Sequence, residues 1–358
     1  MQTSPIQSPT IQTIDDLETP CVVIDMDIME RNIATMQAKC DALGLQFRPH
    51  IKTHKTPDIA RRQIEAGAVG IACQKVSEAA VFVDAGFDDI QLPYNIVGEK
   101  KTARLAQLAK RAKITVTADS APVIEGLATA AQNAGVTINV MVELVSLKRR
   151  TGTTPEMALA LAKHIVDLEG LHFAGIMIYP SDAAIRPRLL ATLELLAEND
   201  IPVETVSGGG SGAILEAAQL PELTEMRIGT YVFWDWSSAD KGWARFEDCA
   251  MTVRAMVVSA QEPDRIILDS GSKTLTPEVR DGLYGYIVEY PEARIYQLNE
   301  EHAYVDFTAC ESTPQVGDIV RIIPVHTCVV TNMFNQIYGV RGDKIDTVWD
   351  VAARGLVW

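Results

Sequence analysis

The chain has 358 residues, 47% of them hydrophobic and 22% charged, which is enough length for two domains and enough apolar material for a large core. Its formal net charge of −15 argues against a broad nucleic-acid or anionic-membrane surface but leaves room for a small basic pocket. Met1 to Thr19 lacks a basic start followed by an apolar run, so no signal peptide is expected, and no apolar segment is long enough to span a bilayer. Six cysteines without paired spacing (Cys21, Cys40, Cys73, Cys249, Cys310, Cys328) fit a reduced, cytoplasmic protein.

From about Leu43 the sequence alternates short apolar runs with amphipathic stretches of helical length. Strands are expected at 46–51, 70–73, 89–92, 114–117, 138–142, 173–178, 203–206 and 226–228. Helices are expected between most of them, for example at 57–66, 77–85 and 155–168, and Gly67, Gly86 and Gly135 follow as turn residues. Eight such repeats point to a (β/α)8 TIM-type barrel, whose chemistry sits at the C-terminal ends of the strands. An open doubly wound sheet is the rival, but no GxGxxG follows a first strand. After about Trp243 short Val-, Ile- and Thr-rich runs (251–258, 265–268, 284–289, 318–323) separated by Gly, Pro and Asp read as a β-rich domain. The expected division is a barrel over 26–242 and a C-terminal β domain over 243–358, joined by 1–25 through a strand-like Cys21–Asp25.

Five constellations carry chemistry. Arg48-Pro49-His50-Ile51-Lys52-Thr53-His54-Lys55 ends the first strand. It reads either as a solvated basic loop or as a lysine whose cationic neighbours favour its nucleophilic form, suited to a Schiff base. Ser207-Gly208-Gly209-Gly210-Ser211-Gly212 follows the seventh strand and Gly229-Thr230-Tyr231 the eighth. Barrels often hold phosphate there, on backbone N–H groups that glycine leaves accessible, although a flexible loop is an equal alternative. His326-Thr327-Cys328 would put two ligands on one face of an extended strand, suited to Zn2+ or Mn2+; a buried Cys beside a structural His is the plainer reading. Glu143 with Arg150, in the run Arg150-Thr151-Gly152, offers a guanidinium for a ring or a carboxylate, or a surface ion pair. Tyr179-Pro180 either contacts a ring or fills the barrel mouth.

These residues resemble the D-threonine aldolase and D-serine dehydratase family, with its alanine racemase-like barrel of fold type III. The likeness runs from Thr19-Pro20 and Asp25 through the Lys52 motif, Gln74, Glu78-Ala79, Arg150-Thr151-Gly152, Tyr179, Ser207–Gly210 and Gly229-Thr230-Tyr231. It continues through 269–273, Glu301-His302 and His326-Thr327-Cys328 to 351–355.

The resemblance implies that Lys52 carries pyridoxal 5'-phosphate covalently. It gives the cofactor phosphate to Ser207, Gly208, Gly209, Gly210, Gly229, Thr230 and Tyr231, and makes Arg150 and Tyr179, with Gln74, ring contacts. It gives His326 and Cys328 a divalent metal (Zn2+ or Mn2+, with Mg2+ a further candidate). A homodimer acting on a small D-amino acid, without nucleic acid or membrane, is implied as well.

Two routes share these residues. Retro-aldol cleavage of a D-3-hydroxy amino acid yields glycine and an aldehyde, and this D-threonine aldolase-like reaction is the first expectation. Dehydration of D-serine or a 3-hydroxyaspartate, ending in a 2-oxo acid and ammonia, is the alternative, and Cys328 is similar to the ligand of zinc-dependent dehydratases. A racemase would need a second acid/base such as Tyr284 or Tyr286 and leaves the His-x-Cys pair unexplained; a non-catalytic cofactor carrier would lack the β domain. One departure stands out. Aldolases of this group often carry a histidine shortly after the Tyr179 position, but Pro180-Ser181-Asp182-Ala183-Ala184-Ile185-Arg186 has none, which leaves His302 or a metal-bound water to deprotonate the hydroxyl.

Overall fold

The computed structural model describes residues 12–262 and 264–358; the expected contribution of residues 1–11 to the β domain lies outside them. In chain order the elements begin with β1 (Cys21–Asp25), α1 (Met26–Ala42), β2 (Gln46–Phe47), α2 (Pro57–Glu65), β3 (Ile71–Ala72), α3 (Val76–Asp84) and β4 (Asp89–Asn95). They continue with α4 (Glu99–Leu108), β5 (Lys113–Ala118), α5 (Ala121–Ala134), β6 (Ile138–Leu144), α6 (Pro155–Asp167), β7 (Leu171–Ile178), α7 (Arg186–Ala197), β8 (Thr205–Gly209) and β9 (Glu225–Arg227). The chain divides into two compact units: Ile33–Tyr231 with Gly355–Trp358, and the described residues up to Asn32 with Val232–Arg354.

In the first unit, eight parallel strands among the described residues follow the order β2-β9-β8-β7-β6-β5-β4-β3. The edges meet, because Val69 N–H donates to Phe47 O and Ala72 N–H to Pro49 O, so the sheet curls into the expected barrel. Local chemistry explains the helices. Pro57 and Pro155 occupy first-turn positions where a missing N–H costs nothing, and the Thr154 hydroxyl accepts the Met157 N–H. Gly135 ends α5 at φ 66°, a left-handed position that an L side chain resists.

Two expectations about the barrel strands need correction. The first strand stops at Phe47 because Pro49 cannot donate to a ladder and the chain then turns into a 3-10 helix at Ile51–Thr53. β8 begins later and runs on through Gly209, so the glycine run starts inside a strand rather than in the loop after it.

The second unit adds α8 (Trp236–Asp240), β10 (Met251–Glu262), β11 (Arg265–Leu268), α9 (Ser272–Leu275), β12 (Gly285–Ile287), β13 (Arg294–Leu298), β14 (Ala303–Asp306), β15 (Ile319–Pro324), α10 (Thr327–Thr331), β16 (Gln336–Arg341) and β17 (Lys344–Asp350). β1 lies between β10, antiparallel, and β16, parallel, so the N-terminal strand is part of this sheet. Irregularities after Val257 and Ser259 let the long β10 pair with β15 along its first half and with β11 along its second. His326 sits in extended backbone immediately before α10, so the His-x-Cys pair spans a helix start and not a strand.

The turn after Lys52 ends on a buried histidine whose titration is tied to stability. His54 is fully buried, its Nε2 lies 3.2 Å from Gln63 Oε1, and its Nδ1 accepts the Thr56 N–H. Burial pulls it down to about 4, against smaller opposing effects of Gln63 and Thr56. The unfolded chain therefore takes up a proton that the fold resists as pH falls from the ordinary 6.5 towards 4. We expect this group to contribute a loss of about 3 kcal/mol across that window. Urea unfolding of the native protein and of His54→Asn at pH 7 and pH 4.5 checks it: the native protein should lose more stability, and equal losses would refute the assignment.

Candidate active site

Lys52 emerges from the 3-10 turn after β2, where the strand ends and its neighbours rise from the C-terminal ends of the barrel. It lines a small cleft with His50, Gln74, Pro93, Arg150, Tyr179 and Arg227. Four of the sequence-derived residues (Lys52, Gln74, Arg150, Tyr179) therefore converge. Lys55, three residues on, does not: its ammonium is buried 3.0 Å from Glu78 Oε1, in a backbone at φ 54°. The same motif thus contains one lysine in the cleft and one committed to an interior ion pair.

His50 positions the turn. Its Nδ1 accepts the Lys52 backbone N–H at 3.4 Å and its Nε2 lies 3.0 Å from Gln74 Oε1. Burial first, then Lys52 and Arg227, hold it well below the ordinary histidine range, so a neutral ring with Nε2–H donating to Gln74 satisfies both bonds. On the other side of the cleft the Arg150 guanidinium lies over the Tyr179 ring, 4.6 Å from its centroid. The loop carrying Arg150 folds back on β6: the Thr151 hydroxyl donates to Glu143 Oε1 at 2.8 Å and the Gly152 N–H to Asp119 Oδ2 at 3.0 Å. Gly152 has φ 99°, and a Cβ there would stand 2.5 Å from the Leu144 carbonyl carbon, so glycine is required. Glu143 is thus taken by Thr151, and burial raises its carboxyl while Thr151, Arg150 and Arg227 oppose the rise.

The phosphate candidates separate into two groups. Ser207 is fully buried and bonded to Glu225 and Arg227. Tyr231 is buried against Phe47, ring centroids 5.2 Å apart, and its hydroxyl accepts from Gln63 Nε2. Neither side chain faces the cleft. The Gly209 N–H donates to Ser181 Oγ and the Gly210 N–H to the Arg227 carbonyl. By contrast, the backbone N–H groups of Ser211, Gly212 and Gly229 donate no hydrogen bond among the described residues. They sit on the two loops that leave β8 and β9, the usual anion position of such barrels. At Gly229 an added Cβ would stand 2.7 Å from Thr53 Oγ1 and 2.8 Å from the His50 carbonyl, so glycine lets this loop pack directly on the lysine turn. The donor set and the cleft lysine fit pyridoxal phosphate.

In the second unit, His326 and Cys328 interact through their side chains. Asp235 Oδ2 lies 2.7 Å from His326 Nδ1, while Asp235 Oδ1 accepts from the Ser238 N–H and hydroxyl. Burial opposes charge on the imidazole, but Cys328 and Asp235 prevail and push it up to about 11. A carboxylate on Nδ1 is the arrangement that turns Nε2 towards a metal. Among the described residues no cluster of three or more His, Cys, Asp or Glu side chains forms a metal site. His302 is exposed in the turn between β13 and β14.

Sequence reasoning missed Asp235, Arg227 and Glu225. Asp235 lies far from His326 along the chain and carries no motif. Arg227, two residues before Gly229 at the end of a strand, was the one legible signal, since a basic residue pointing into a barrel needs a reason.

A barrel with a lysine at the end of its first strand and glycine-bearing loops after its last two is the architecture of the alanine racemase-like enzymes. The chain belongs to that family: residues 24–235 match the alanine racemase N-terminal domain, and residues 250–340 match a putative serine dehydratase domain. It is 35% identical to D-threonine aldolase of Arthrobacter sp. over 95% of this chain and 93% of that one. The solved D-threonine aldolase of Filomicrobium marinum aligns with a TM-score of 0.88 at 31% identity, covering 98% of this chain and 100% of that chain. D-threo-3-hydroxyaspartate dehydratase of Delftia sp. HT23 aligns with a TM-score of 0.85 at 26% identity, covering 94% of this chain and 98% of that chain, and a mutant D-threo-3-hydroxyaspartate dehydratase in a metal-free form aligns similarly. Among the described residues no helix is long and apolar enough to cross a membrane.

Proposed function

We propose that this chain is a pyridoxal 5'-phosphate- and divalent-metal-dependent lyase of D-3-hydroxy amino acids, cleaving D-threonine-type substrates to glycine and an aldehyde. The observation that carries the reading is the division of labour between Lys52, in the cleft with Arg150 and Tyr179, and Lys55, paired with Glu78. Lys52 would hold the cofactor through its amine. Ser211, Gly212 and Gly229 would offer their N–H groups to its phosphate, and Arg150 and Tyr179 would flank its ring. The bound cofactor would supply an electron sink for the pair left at Cα. His326 and Cys328 would hold the metal, with Asp235 orienting the imidazole, and that metal would supply Lewis acidity at the substrate's β-hydroxyl.

Which bond breaks depends on which proton leaves. Loss of the β-hydroxyl proton leads to Cα–Cβ cleavage, whereas removal of the Cα proton by Lys52 leads to loss of the hydroxyl as water. The second reading, a dehydratase for D-serine or a 3-hydroxyaspartate, is favoured by Cys328 as a soft ligand and by the absence of a histidine from Pro180 to Arg186. A cytoplasmic homodimer completes the proposal.

Proton NMR of products decides between the routes. The protein with cofactor and Mn2+ or Zn2+ is incubated with D-threonine, L-threonine and threo-3-hydroxyaspartate. Glycine and acetaldehyde from D-threonine alone support the aldolase; 2-oxo acid and ammonia make it a dehydratase; no product from any of them overturns the reading. We further expect Cys328→Asp to shift metal preference from Zn2+ towards harder Mn2+ and Mg2+, measured as activity after chelation and reloading with each ion. An unchanged order would remove Cys328 from the ligand set.

A further inference from the structure

Ser207 heads the glycine run, a place where a hydroxyl reads as a phosphate ligand, but its bonds point elsewhere. It lies on β8 with its side chain fully buried. Its hydroxyl donates to Glu225 Oε1 at 2.6 Å and accepts from Arg227 Nε at 2.7 Å. A serine hydroxyl has a single proton, so Ser207 has none left for a phosphate. The other Glu225 oxygen accepts from Arg48 Nε at 2.7 Å, and Arg48 Nη1 donates to Asp89 Oδ1 at 2.7 Å. Arg227 Nη2 is held in turn by the Ile178 carbonyl at 3.2 Å. The series Asp89, Arg48, Glu225, Ser207, Arg227 thus crosses the barrel interior and ends on a guanidinium that lines the cleft beside Lys52 and Tyr179.

We propose that Ser207 and Glu225 are positioning residues that aim the Arg227 guanidinium into the cofactor cleft, and that Ser207 takes no part in holding the phosphate. The inference rests on the reading that pyridoxal phosphate occupies this cleft. The geometry supplies its physical reason. A guanidinium offers donors in a rigid planar fork, so fixing Nε and Nη2 fixes the direction of the charge. In a water-poor interior that charge sets the protonation balance of whatever ring lies next to it. The partition of labour agrees with the backbone: among the described residues the Ser211, Gly212 and Gly229 N–H groups donate no hydrogen bond, whereas Gly209, on the strand that carries Ser207, donates to Ser181 Oγ.

The test compares the holoenzyme with Ser207→Ala, Ser207→Thr and Glu225→Gln. Visible absorbance of the bound cofactor is titrated with pH, and affinities are measured for pyridoxal phosphate and for pyridoxal, which lacks the phosphate. Ser207→Ala and Glu225→Gln should move the titration midpoint by about one pH unit or more. Ser207→Thr, which keeps the hydroxyl, should restore it, and the preference for pyridoxal phosphate over pyridoxal should stay within about threefold of the native value. A loss of about tenfold or more in that preference on removing the hydroxyl would make Ser207 a phosphate ligand and overturn the inference; so would an unchanged titration. If Ser207→Ala fails to fold, Glu225→Gln, which keeps an acceptor oxygen for one of the two donors, is read by the same criteria. A native protein that binds no cofactor would overturn the functional reading itself, an outcome distinct from either result above.

Discussion

Lys52→Ala should lose the visible absorbance of the bound cofactor and at least about 10³-fold of activity, because among the described residues that line the cleft no other offers an amine. The informative control is Lys55→Ala. Lys55 is buried beside Glu78, whose second oxygen accepts the Gln74 N–H. Removing the ammonium leaves a carboxylate buried without its counter-charge, which costs about 3–5 kcal/mol. The Lys55 variant should therefore unfold at lower urea while its surviving folded fraction keeps the cofactor colour. The Lys52 variant should fold normally and be colourless. Colour retained in Lys52→Ala and lost in Lys55→Ala would reverse the assignment of the anchor. Absorbance spectra and urea unfolding of the two proteins side by side settle the matter.

Asp235→Asn should weaken metal binding by about 10–100-fold, the usual cost of losing the carboxylate behind a ligating histidine. The carboxylate accepts from both Ser238 donors on Oδ1 and stands 2.7 Å from His326 Nδ1 on Oδ2. An amide keeps only one acceptor oxygen, so either α8 loses its cap or the imidazole loses its orienting partner. Calorimetric titration of the chelated protein with Zn2+ and Mn2+ reads the effect directly, and cofactor absorbance should be untouched. Unchanged metal affinity in a folded variant would mean that His326 is oriented by something else, or that the pair binds no metal.

The local signals in the chain reached a long way. Alternating apolar runs and helical stretches specify the barrel because each strand must be apolar for burial between helices and each helix must bury one stripe, a demand written residue by residue. The lysine motif was visible for the opposite reason, since so many polar groups at the end of a buried strand contradict burial unless they do something. The close approach at Gly229 and the positive φ of Gly152 were likewise legible as glycines, though not the atoms they make room for.

What the sequence by itself determined is therefore the class of fold, and what it singled out is the lysine motif, the two glycine-bearing loops after the last strands and the His-x-Cys pair. These depend on local periodicity, turn chemistry and residue type, all properties of short segments. Only the tertiary structure decided which lysine of the motif is committed to Glu78, that Ser207 turns inward to Glu225 and Arg227, and that Asp235 backs His326 from ninety-one residues away. Each of these is a pairing of charges and hydrogen-bond donors across the interior. Such pairings are dictated by the requirement that a buried polar group find its complement wherever the fold delivers one, a distance along the chain that no local pattern records.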